Sequence, residues 1–149
     1  MPAVLVSGAR AHVVEVAAAL RARGAAVTEV TDLDDLPAAV RAAGGRKFDT
    51  YVQLPAEFHP QGDTAIQRVH HFYAAGVLAR FAALDAALPS LLPDGRVTFV
   101  LGQLPASVAG RADREARRAL IRVLGNAARA DTPDGALGIR VLDWGVPAD

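Results

Sequence analysis

Short apolar runs alternate with helical stretches along the chain, and this alternation constrains the fold more than any other feature. Ala3, Val4, Leu5 and Val6 form a continuous apolar run, the pattern of a strand buried on both faces. Residues 11–23 then place Val13, Val16, Ala17 and Leu20 at helical spacing. Arg21 and Arg23 suit the negative end of that helix, and Gly24 is its stop signal. Residues 26–30 read as a second strand, and TDLDDLPAAVRAAGG as an acidic first turn, a short helix and a glycine-pair ending. FDTYVQL gives a third strand. Residues 64–88 give the longest helix, with Ile66, Val69, Tyr73, Val77, Phe81, Leu84 and Leu88 on one stripe. Residues 96–101 are a fourth strand, residues 111–130 another helix, and residues 137–142 a fifth strand.

Apolar strands separated by helices predict parallel pairing, right-handed crossovers and helices on both faces of the sheet. The expected architecture is α/β: one three-layer, doubly wound Rossmann- or flavodoxin-like domain over residues 1–149, on a five-stranded parallel sheet. Ligands of such sheets bind beyond the carboxyl ends of the strands. That edge is expected to hold residues 7–12, Thr31 and Asp32, residues 55–63, residues 102–111, and Asp143 with Trp144.

The 149 residues suffice for one ordinary domain core. With no cysteine, disulfides, thiolate metal sites and a thiol nucleophile are excluded. A formal net charge of zero argues against nucleic acid or an anionic membrane as the main partner. No basic leader is visible and no apolar stretch is expected to reach the ~20 residues of a membrane span. The expected location is cytoplasmic. Arg114, Arg118 and Arg122 share a helical stripe, which reads as a solvated face.

VSGAR, VTDLDDLPAAVRAAGGRKFDTYVQLPA, GVLARFAALDAALPSLLPDGRVTFVLG and REARRALIRVLGNAARA with GIRVLDWGVP together resemble, in order and spacing, a short-chain dehydrogenase/reductase. The resemblance implies a degenerate, shortened member, similar to the non-catalytic structural half of polyketide ketoreductases. One strand–helix unit that the family carries after Gly24 has no room here. In the family's glycine fingerprint Ser7 and Gly8 match the first two positions, while residues 11–14 replace the later glycines with one residue deleted. Those glycines let the backbone approach a pyrophosphate and the helix pack against its strand, so Val13 and Val14 are expected to add bulk there.

The resemblance also places Gln53, Leu54, Pro55 and Ala56 at the family's Asn-Asn-Ala-Gly, and Gly76 at the helix asparagine. Gly102 or its neighbours stand at the serine, and Asp113 and Arg117 at the tyrosine and lysine. Arginine effectively never gives up its proton. The implied outcome is a catalytically inactive module with no cofactor, in which Ser7, Gly8, Arg10 and Asp32 are a vestigial cofactor turn. The competing expectation is an NADP-linked oxidoreductase whose degenerate turn still admits cofactor. Asp32 also reads as a helix cap, which needs no ligand.

Other chemistry is thinly supported. His70 and His71 diverge by about 100° on a helix and cannot share a metal; no metal site is expected. His70 shares a face with Ile66 and Tyr73 and reads as buried or interfacial. Ser107 lacks the strained glycine elbow of a hydrolase nucleophile. Glu57, His59, Gln103 and Trp144 are candidates to line a ligand crevice. The family's two-fold interface would use helices 64–88 and 111–130, where Ala116, Ala119, Leu120, Val123 and Ala127 form a small-residue stripe. A homodimer is therefore expected, acting as a binding or scaffold module, with a partner enzyme of the same pathway as a natural associate.

Overall fold

The computed structural model describes residues 1–102, 111–132, 134 and 136–144. Strands β1 (Ala3–Ser7), β2 (Ala26–Val30), β3 (Phe48–Gln53), β4 (Leu91–Leu101) and β5 (Gly138–Asp143) form one sheet in the order β2-β1-β3-β4-β5. Every pairing is parallel. The helices are α1 (Arg10–Ala22), α2 (Leu36–Ala42), α3 (Ala65–His71), α4 (Ala79–Ala87) and α5 (Arg111–Ala130). The expected α/β architecture, with helices on both faces, is what these residues build.

Alternation along the strands sorts the side chains into two layers. Leu5, Tyr51, Val97 and Phe99 face a core closed by Leu36 of α2, Leu84 of α4 and Ile121 and Leu124 of α5. Val4, Val6, Leu54 and Val100 face the opposite layer, where Val13 of α1 packs with Val16 and Leu20. Val13 is the member of the valine pair that meets the strands; Val14 is exposed and adds no bulk at that contact.

The helix expected over residues 64–88 is broken. Thr64 caps α3 in a reciprocal box with Gln67, and a π-helical turn, Phe72–Val77, then separates α3 from α4. The wide turn contains Gly76, against which the Phe58 ring packs; a Cβ there would lie 3.2 Å from the ring. The break changes which residues face inward. Val77, Ala83, Leu84 and Ala87 are buried, while Ile66 is 83% exposed and Val69 36%, so the front of the predicted stripe leaves the core. His70 is exposed beside them rather than buried.

β4 begins at Leu91, not at residue 96, because Phe48 pairs with Leu91 before the register skips to Thr50 with Arg96. The helical run Ala65–Ser90 also corrects the expectation about apolar length. The most apolar 18-residue stretch within it has a mean hydropathy of 1.2, which passes by length and composition only as a membrane-span candidate, and 22% of that stretch is buried. Its inner face covers the sheet through Leu84 and Ala87, while its outer face carries exposed apolar side chains.

Candidate functional site

The chain leaves β1 toward β2 on one side and continues from β3 toward β5 on the other, so the strand order reverses between β1 and β3. A crevice is expected outside the carboxyl ends of the strands at such a point. A cavity of about 540 Å³ lies there, walled by Gly8 after β1, Leu33 after β2, Leu54 and Pro55 after β3, Gly102 after β4 and Trp144 after β5. From the helices come His12, Phe72, Arg80 and Arg117, and from the loop after β3 comes Phe58.

The turn after β1 is held by the protein itself. Gly8 N–H donates to the Val30 carbonyl at 3.2 Å and Ala9 N–H to the Pro55 carbonyl at 2.9 Å. Gly8 has φ +147°, and a Cβ on it would stand 2.7 Å from Leu54 Cβ. Only glycine lets β1 and the end of β3 approach this closely. Ser7 is buried, with Oγ 2.7 Å from the Tyr51 hydroxyl, so it faces the core and not the cavity. Arg10 is exposed at the start of α1. Ala9 offers α1 no side-chain cap. Asp32 Oδ1 accepts from Asp34 N–H at 3.0 Å, capping the short helical turn Leu33–Asp35.

Two polar chains run behind the cavity wall. In the first, Arg80 Nη2 donates to the Val100 carbonyl at 2.9 Å and Nη1 to Gln53 Oε1 at 3.4 Å. Gln53 Nε2 in turn donates to the Arg80 carbonyl at 3.1 Å. Burial, then the neighbouring Arg117 charge, push the Arg80 guanidinium down to about 10, partly opposed by Tyr51. Burial also pushes the Tyr51 hydroxyl up.

In the second, Tyr73 donates to Asp113 Oδ1 at 2.7 Å, and Arg117 Nε donates to Asp113 Oδ2 at 3.1 Å. Arg117 Nη1 donates to the Gly102 carbonyl, and its guanidinium lies 5.9 Å from the centre of the Phe72 ring. Tyr73 is pushed up to about 12, first by burial, then by the hydrogen bond to Asp113 and by its charge. Asp113 and Arg117 do sit four apart on one face of α5, and they spend each other's charge.

Of the crevice candidates, Trp144 lines the cavity, its ring 4.1 Å from that of His12. Glu57 and His59 do not: they pair with each other at 3.7 Å with side chains 79% and 82% exposed. The residue between them, Phe58, turns inward onto Phe72 and His71 and sends its neighbours outward. Gln103 and Ser107 lie outside the described residues. Among the described residues no three His, Cys, Asp or Glu side chains gather as metal ligands.

Sequence reasoning passed over Arg80, although a signal was present. Arg80 falls three residues after Val77 and four before Leu84, an arginine on a buried stripe. Gln53 was legible as a polar residue two after Tyr51 on the inward side of β3. His12 and Phe58 carried no comparable mark.

No family model and no curated protein matches the chain. Solved structures do. A short-chain dehydrogenase/reductase from Serratia marcescens superposes with a TM-score of 0.62 at 17% identity, covering 94% of this chain and 72% of that one. Protein lin1944 from Listeria innocua gives 0.62 at 16% identity over 96% and 77%. BdcA, in a complex with NADPH, gives 0.56 at 18% identity over 94% and 68%. The chain thus has the α/β Rossmann-like fold of the short-chain dehydrogenases/reductases, built in a shortened form on a five-stranded sheet.

Proposed function

We propose that the chain is a non-catalytic, short-chain-dehydrogenase-like binding module that works as a homodimer and takes a small ligand in the crevice over its sheet. The observation that carries this reading is the Tyr73–Asp113–Arg117 chain. In the family resemblance, Asp113 and Arg117 stand where the tyrosine and lysine act. Here the aspartate holds an arginine with one oxygen and a tyrosine with the other. Tyr73, the one phenol nearby, is shifted up to about 12, away from the range useful to a proton donor at neutral pH.

We read the first turn as poorly suited to a dinucleotide. The amides of Gly8 and Ala9 are occupied by protein carbonyls, and Leu54 and Pro55 stand against the turn. Support for the dimer comes from Ile66, Val69, Leu78 and Val123, apolar side chains left exposed on α3, the π-helical turn's end and α5. A helix-packed dimer would take exposed apolar side chains such as these out of water.

The second reading is an NADP-linked oxidoreductase, favoured by the NADPH bound in the structurally similar BdcA. The discriminating experiment follows NADPH absorbance at 340 nm with a panel of aldehydes and ketones. The proposal expects no consumption above the protein-free rate. Turnover that disappears in Asp113→Asn or Tyr73→Phe would install the oxidoreductase reading in its place.

A further inference from the structure

We infer that the crevice is a receptor for a small organic acid, its carboxylate held between Arg80 and Arg117 and its apolar body lying against Phe58, Phe72 and Trp144. This rests on reading the crevice as a ligand site and names the class of ligand.

The cavity wall has two arginines and no carboxylate among its described residues. Among the described residues Arg80 is tied to neutral oxygens, the Val100 carbonyl and the Gln53 amide. Even with its pKa lowered to about 10, the guanidinium is a cation at neutral pH. A charge removed from water without a counter-charge is costly, and folds keep one where something compensates it.

Arg117 differs, because Asp113 already neutralises it. Among its described residues the wall therefore carries one arginine charge without a carboxylate partner, which matches a monoanion better than a doubly charged phosphate ester. A guanidinium presents a planar fork of donors suited to a carboxylate. The rest of the ligand is defined by the lining. Phe58, Phe72, Val77, Ile121 and Trp144 give an apolar enclosure, and about 540 Å³ is the size of a small-molecule site.

The test uses the full chain and a matched pair of probes, 4-phenylbutyrate and the neutral 4-phenylbutanamide. Binding is read by calorimetry and by emission of Trp144, the sole tryptophan, which lies in the wall. The acid is expected to bind at least tenfold more tightly than the amide. Arg80→Met keeps the stem and removes the charge; it should weaken the acid at least tenfold and the amide less than twofold. His59→Ala, outside the cavity, should change neither. Equal affinity for acid and amide, an unaltered acid affinity in Arg80→Met, or no binding of either probe at millimolar concentration overturns the inference. The acid–amide comparison needs no variant and so survives any folding defect in Arg80→Met. NADPH turnover would overturn the binding-module reading instead, and is measured separately.

Discussion

The Tyr73 hydroxyl donates to Asp113 Oδ1 at 2.7 Å, tying the π-helical turn in the middle of the chain to the first turn of α5. This bond joins two helices at the back of the cavity and occupies the carboxylate that faces Arg117. Burial first, and then this bond, raise the pKa of the phenol. A folded pKa of about 12 against an ordinary 10.0 means that the folded state holds its proton where the unfolded state has lost it. The stabilisation is therefore complete below pH 10 and disappears as pH rises from about 10 to 12.

Both tyrosines of the chain, Tyr51 and Tyr73, are shifted upward. The native protein should consequently show no phenolate absorbance at 295 nm around pH 10, and the denatured protein should show it for both residues. A native tyrosine titrating at its ordinary value would contradict the buried, hydrogen-bonded placement of one of them.

Replacing Tyr73 by Phe removes the donor and leaves Asp113 with Arg117 alone. The expected loss in urea unfolding is about 1–2 kcal/mol, the value of a hydrogen bond to a charged group in a part-buried setting. No change in midpoint would mean that the bond is not formed in solution.

Gly8→Ala should cost about 2–4 kcal/mol, because the new methyl meets Leu54 and the backbone must keep a positive φ. If the role of Gly8 lay in admitting a ligand rather than joining β1 to β3, stability would be unaltered and only ligand affinity would suffer.

Leu78 and Val123 are 49% and 61% exposed, so charges there meet water in a monomer and desolvation in a dimer. Leu78→Asp and Val123→Glu should convert a dimer to a folded monomer in light scattering, with the circular dichroism spectrum retained. A wild-type monomer at tens of micromolar would rule out the homodimer.

Most of each strand was legible as a run rich in apolar residues bounded by turn residues, and parallel pairing followed from the helices between them; the start of β4 was not, because Pro93, Asp94 and Gly95 read as a turn. The break at residues 72–77 was not, since the stripe from Tyr73 to Leu88 looks continuous until Phe58 packs on Gly76 from a distant loop. The same ring explains the misplaced crevice residues. Composition marks Glu57 and His59 as chemically able, but which of three successive side chains turns inward is decided by the aromatic contact with Phe72. Arg80 was written in the sequence as a charge on a buried stripe. What surrounds it comes from Gln53 and Val100 on two other elements.

The most direct measurement is a calorimetric titration of the full chain with NADPH, NADH serving as comparison. A first turn whose amides are held by Val30 and Pro55 predicts no saturable heat up to millimolar nucleotide. Stoichiometric binding at micromolar concentration, accompanied by a change in Trp144 emission, would contradict it.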